Sequence, residues 1–141
     1  MVGQRRFGLK TSDGHSQEFL IDASSETVWD AMRDVGALHT RLVPGFVTGC
    51  KLEGDARIVT FGNGVVAREV IVDVDDGARR IAWSATGKHL SHHNASSQVF
   101  AEGAKTKVVW IADLLPNEMK PAISGMIDAG AAAMQKALGG K

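Results

Sequence analysis

The sequence predicts an α+β domain: one strand, two short helices, six further antiparallel strands and a long C-terminal helix. Three observations predict it. Over 116–138, Met119, Ile123, Met126, Ile127, Met134, Ala137 and Leu138 recur at helical spacing and draw one apolar stripe. From Phe46 to Leu115 the apolar period is two, and turns rich in Gly, Asn or Asp return about every ten residues, as in an antiparallel meander. Between Asp22 and Gly36 a serine-led segment carries Val28, Trp29 and Met32 on one helical face. A curved sheet of about seven strands needs its apolar face covered, and only the terminal helix is long enough to do so.

In order, residues 1–14 read as a loose arm with three glycines, and 15–139 as a single domain. Gln17–Asp22 forms the first strand, with Phe19 and Ile21 on one face. Ala23-Ser24-Ser25-Glu26 starts a helix, a serine capping it and Glu26 favouring its first turn. Gly36 breaks that helix, and Ala37–Leu42 forms a second short one before the turn Val43-Pro44-Gly45. The meander strands are Phe46–Leu52, Ala56–Phe61, Val65–Val74, Arg80–Thr86, His93–Ala101 and Thr106–Leu115. The final helix runs from Pro116, suited to a first turn, to the stop at Gly139-Gly140. At ~1.5 Å per residue it spans roughly 33 Å.

The middle of that helix is small: Gly125, Ala129, Gly130, Ala131, Ala132 and Ala133. Each interior glycine costs roughly 1 kcal/mol against alanine. Either the helix packs closely on the sheet, or it walls a cavity with Met126 and Met134 as adaptable lining.

Sixteen basic and sixteen acidic residues in 141 balance to zero net charge. Nothing in that balance draws the chain to nucleic acid or anionic lipid. The one cysteine, Cys50, excludes an internal disulfide and fits a reducing cytoplasm. No apolar run approaches the ~18 residues of a membrane helix, and Arg5-Arg6 lacks the apolar core of an export signal. A cytoplasmic protein without membrane insertion is expected. No nucleophile elbow, phosphate loop, dinucleotide fingerprint or His-Glu-x-x-His occurs. His89, His92 and His93 lack a neighbouring cysteine or carboxylate, so no metal and no cofactor are expected.

Glu69 stands in an otherwise apolar strand. With Ala67 and Ile71 it either faces inward or pairs outward with an arginine on the next strand. Inside, an uncompensated carboxylate favours its neutral form, unless Arg68, Arg80 or water offsets it. It would then serve as a general base or as a hydrogen-bond acceptor. On a strand His92 and His93 point to opposite faces, so one of them, His93, is a candidate cavity group. Thr48, Ser84, Thr86 and Ser97 are candidate inward hydroxyls, while Trp29, Trp83 and Trp110 read as core or wall residues.

Three stretches carry a resemblance. The first is Ile21-Asp22-Ala23-Ser24-Ser25-Glu26-Thr27-Val28-Trp29-Asp30. The second is Arg68-Glu69-Val70-Ile71-Val72-Asp73-Val74-Asp75-Asp76, followed by Arg79-Arg80-Ile81 and Ser84. The third is Val108-Val109-Trp110 before the long helix. Their order and spacing over 16–138 resemble the helix-grip fold of the START/Bet v 1-like (SRPBCC) superfamily. The resemblance is nearest the bacterial polyketide cyclase/dehydrase-like branch and the plant abscisic acid receptors. It implies an apolar cavity between sheet and helix for a lipid, sterol, hormone or polyketide-like ligand. It places Phe61-Gly62-Asn63-Gly64 at a gate and Gly87-Lys88-His89-Leu90 at a latch. Glu69 falls at the family's polar glutamate and His93 near its tyrosine. Thr48 stands where a ligand-pairing lysine is found, a departure that argues against carboxylate ligands.

The leading expectation is a binding module for a small apolar molecule bearing a hydroxyl or carbonyl. Phe61, Leu90, Ile123, Met126, Ile127 and Met134 would contact its body, with Thr48 at the cavity. Glu69 and His93 would orient its polar end. The runner-up is a cofactor-free polyketide cyclase or dehydratase with Glu69 and His93 as acid and base. A third reading is a filled core serving protein partnership, favoured by a cavity well below ~300 Å³. A homodimer through the exposed gate loop is compatible with each.

Overall fold

The computed structural model describes residues 14–87, 90–115 and 120–139. The strands are β1 (Gly14–Ile21), β2 (Val47–Glu53), β3 (Ala56–Phe61), β4 (Val66–Asp75), β5 (Arg80–Gly87), β6 (Leu90–Glu102) and β7 (Lys105–Leu115). Helix α1 (Ser25–Arg33) and a π-helical turn (Leu38–Leu42) follow β1, and α2 (Lys120–Leu138) closes the chain. The sheet order is β1-β7-β6-β5-β4-β3-β2, antiparallel throughout. The curled seven-stranded sheet gripping a C-terminal helix is the expected helix-grip arrangement. Three details differ. The first strand begins earlier, at Gly14, the second helical piece is a five-residue π turn, and the strand expected from His93 already begins at Leu90, a residue expected in the latch loop.

Local chemistry explains the elements. Ser24 sits at extended φ,ψ before α1, and its Oγ accepts from the Thr27 N–H at 3.2 Å, as an N-cap does. Asp76, in the turn after β4, accepts from Trp29 Nε1 at 2.9 Å and from Arg33 Nε at 2.7 Å and Nη2 at 3.2 Å. Arg79 Nη1 donates to Ser25 Oγ. These bonds fasten α1 to the β4–β5 hairpin. Register shifts at Val47/Gly49, Ile71/Asp73 and Ala85/Gly87 bend the sheet, because bulges increase local twist.

Helix α2 lies across the concave face. Its C-terminal half is anchored by Gln135 Nε2, which donates to Leu20 O at 2.8 Å, while Gly139 N–H closes the helix's own last turn on Gln135 O at 2.8 Å. Ile127, Ala131 and Met134 are buried against the core built by Ile21, Val28, Val59, Ile81 and Val108. The expected start of this helix, Pro116 to Met119, and its expected second stop residue, Gly140, lie outside the described residues. Gly130 lets the helix approach the sheet. A Cβ there would come within 2.8 Å of Trp110 Cη2 and 3.2 Å of Phe46 Cε2. Gly125 differs, because among the described residues nothing stands within 4 Å of the position its Cβ would take. The two readings of the small-residue stretch therefore hold at different turns of one helix.

Candidate binding chamber and its outer cleft

Between sheet and α2 lies a chamber of about 60 Å³. The sheet contributes Arg57, Glu69, Ile81, Trp83, Ser97 and Trp110. Helix α2 contributes Met126, Ile127 and Met134, and the segment through the π turn contributes Leu38, Leu42 and Val43. Phe46 and Phe61 close one end, in edge-to-face contact with centroids 5.4 Å apart. Trp83 and Trp110 meet edge to face at 6.3 Å, a favoured aromatic geometry.

Glu69 points inward and is 6% exposed. Its cation is neither Arg68 nor Arg80. Arg57, one strand away and directly opposite in register, donates from Nε to Glu69 Oε1 at 2.8 Å. Arg68 instead lies 3.9 Å from Glu53 at the surface. The Arg57 guanidinium is itself 4% exposed, sits 5.4 Å from the Trp83 ring centre and donates from Nη1 to Val35 O at 3.3 Å. A buried charge must be paired and hydrogen-bonded, and this pair meets both conditions. Beside it, burial pushes the Cys50 thiol above its ordinary value, and Cys50 Sγ lies 3.5 Å from the same Val35 carbonyl.

Arg57 was not among the residues expected from sequence. Its signal was the two-residue period of β3, which puts Arg57 on one face with Val59 and Phe61. Phe46, which the sequence places at the start of a strand, was likewise not among the expected site residues.

The structure brings Phe61, Glu69, Met126, Ile127 and Met134 together at the chamber, joined by Ser97. Thr48 is exposed, and its Oγ1 donates to Thr60 O at 3.4 Å, away from the chamber. Thr86 is exposed as well, and Ser84 and Thr86 do not line the chamber. Register aligns Arg57, Glu69, Ala85 and His93 in one row across β3 to β6. At ~4.8 Å per strand, His93 stands two strands, or about 10 Å, from Glu69. The side chains of His93, Leu90 and Ile123 lie outside the described residues, as do Lys88 and His89 entirely. Among the described residues no group of three His, Cys, Asp or Glu could hold a metal. No helix among them is long and apolar enough to cross a membrane.

A second space adjoins the chamber. This outer cleft of about 390 Å³ is bordered by Gly45, Gly62, Asn63, Val65, Gly125 and Ala129. Phe46, Phe61 and Met126 line both spaces and stand where the two adjoin. The chamber alone is far below the ~300 Å³ of a small-molecule site, whereas chamber and cleft together exceed it.

The model of the family described as polyketide cyclase / dehydrase and lipid transport matches residues 15–139. No curated protein sequence matches the chain. Among solved structures, a START superfamily protein from Mycobacterium smegmatis superposes with a TM-score of 0.76 at 15% identity, over 89% of this chain and 96% of that one. The Zhui aromatase/cyclase from Streptomyces sp. R1128 gives 0.67 at 16%, over 90% and 91%. Norcoclaurine synthase from Thalictrum flavum, in complex with dopamine and hydroxybenzaldehyde, gives 0.62 at 21%, over 87% and 84%. At these identities the likeness establishes the fold, and the family match covers the whole grip of sheet on helix. The chain therefore belongs to the polyketide cyclase / dehydrase and lipid transport family, and its fold is shared with the START superfamily protein and the aromatase/cyclase.

Proposed function

We propose that this protein binds a small, mostly apolar molecule whose polar end is a neutral hydroxyl or carbonyl. The supporting observation is the Arg57–Glu69 pair set into an otherwise apolar chamber. The pair neutralises itself, so a charged ligand group would enter without a counter-charge and would lose its hydration. A neutral hydroxyl or carbonyl can instead bond the guanidinium edge, the carboxylate or the Ser97 hydroxyl. The aromatic walls of Trp83 and Trp110 suit a flat or ring-bearing body. Such a ligand fits only when the Phe46–Phe61–Met126 partition opens and the chamber joins the cleft.

A binding role is favoured over acid–base catalysis because Glu69 Oε1 is already engaged by Arg57. The cyclase or dehydratase reading rests on Glu69 and His93 flanking a substrate across about two strand spacings, ~10 Å. The filled-core reading is favoured by one observation, the chamber's volume of about 60 Å³.

Native mass spectrometry of gently purified protein tests these readings. A stoichiometric small molecule, retained by the wild type and lost from Met126→Trp, is the expected result. Uptake unchanged in Met126→Trp would remove the site from this helix. An empty chamber that also takes up no aromatic or polyketide-like compound on soaking would support the filled core. Turnover of the bound compound, abolished by Glu69→Gln with the fold intact, would establish the enzyme.

A further inference from the structure

We infer that ligand reaches the chamber past α2, with Met126 as the moving leaf of the partition and the β3–β4 hairpin as its fixed frame. The inference rests on the binding role proposed above. It reverses the expectation that the Phe61–Gly64 loop is the gate.

The hairpin is stitched shut on every side. Phe61 N–H donates to Val65 O at 2.8 Å, Gly64 N–H to Phe61 O at 2.9 Å, and Val65 N–H to Asn63 Oδ1 at 3.0 Å. Gly62 N–H then donates to Phe46 O at 2.8 Å, which ties the hairpin to the segment leading into β2. The two backbones touch so closely that a Cβ on Gly62 would lie 2.6 Å from Gly45 O. Phe46 and Phe61 thus sit on segments bonded to each other. Moving either backbone segment breaks the Gly62 N–H to Phe46 O bond and parts the two rings.

The third member is different in kind. Met126 is half-buried on α2, and its unbranched side chain makes no hydrogen bond among the described residues, so it can change rotamer at little cost. Beside it on the same helix, Gly125 and Ala129 border the cleft, and no described residue comes within 4 Å of the place a Gly125 Cβ would take. The helix is held by its far half, through Gln135, Ala131 and Met134. A rotamer change at Met126 joins cleft to chamber without disturbing any of these anchors. The width left beside Gly125 then sets the girth of ligand admitted.

Stopped-flow uptake of N-phenyl-1-naphthylamine, a neutral aromatic that brightens in apolar surroundings, tests this. Met126→Ala should raise the association rate about tenfold, equal to about 1.4 kcal/mol of barrier. Gly125→Leu should slow it while the melting temperature holds or rises, because leucine favours a helix where glycine does not. That combination rules out unfolding as the cause. Gly64→Ala loosens the hairpin, since Gly64 has φ +90°, and should leave the rate within about twofold of the wild type, under 0.5 kcal/mol. Acceleration by Gly64→Ala with no response at Met126 would make the hairpin the gate and overturn the inference. Indifference to all three would place the route elsewhere and overturn it as well. Absence of saturable uptake in the wild type would remove the binding role itself and the passage with it.

Discussion

Replacing Glu69 with leucine tests whether the chamber is dry and its polar pole real. The variant leaves the Arg57 guanidinium, 4% exposed, without its carboxylate. Breaking a buried pair from one side costs about 3–5 kcal/mol. For a domain of this size that lowers the melting temperature by roughly 10–15 °C. Removing both charges with Arg57→Met/Glu69→Leu should recover most of the loss, because an apolar pair of similar volume carries no desolvation penalty. The assay is urea unfolding of both single variants and the double, closed as a double-mutant cycle. Added salt should change the coupling little, since buried pairs are poorly screened. Arg41→Met, which breaks an exposed cluster with Asp30 and Asp34, is the control and should move the midpoint little. A loss below about 1 kcal/mol in Glu69→Leu would place the pair in the range of hydrated surface bridges. The argument for a neutral polar end would then fall.

Other outcomes follow from the same geometry. Gly125→Ala should stabilise the protein by about 0.5–1 kcal/mol. Gly130→Ala should destabilise it, because overpacking against Trp110 costs about 1–3 kcal/mol; thermal melts of the two variants separate these effects. The Arg33 hydrogen bond, then that of Trp29, holds the Asp76 carboxyl below its ordinary 3.8. A carboxyl so lowered stabilises the fold fully above its unfolded value, and the gain is lost as pH falls through the folded value. The stability difference between wild type and Asp76→Asn should therefore shrink on acidification below 3.8, read by urea midpoints at a series of pH values. Burial raises the Cys50 thiol, so iodoacetamide at mild alkaline pH should react more slowly with folded than with urea-unfolded protein. Equal rates would show the thiol to be solvated.

The pair also changes how Glu69→Gln is read. Glutamine keeps the shape of the side chain but removes the charge that neutralises Arg57. Lost turnover in this variant must therefore be compared at a temperature where both proteins are folded.

What the sequence determined by itself is local. The strand–helix–meander–helix order, the serine cap at Ser24, the hairpin turns and the stop at Gly139 follow from periods of two and 3.6 and from turn chemistry within a few residues. Glu69 could be singled out because a lone carboxylate interrupts an apolar strand. Tertiary structure decided what depends on register and depth. Which arginine meets Glu69 turns on the pairing of β3 with β4, and a slip of one residue would have turned Arg57 outward. Gly125 and Gly130 look alike in the chain, yet one opens on the cleft and the other is filled by Trp110. The chamber's volume was the least legible quantity of all. It is the small remainder left when bulged strands, two aromatic pairs and one helix pack together, and no single residue sets it.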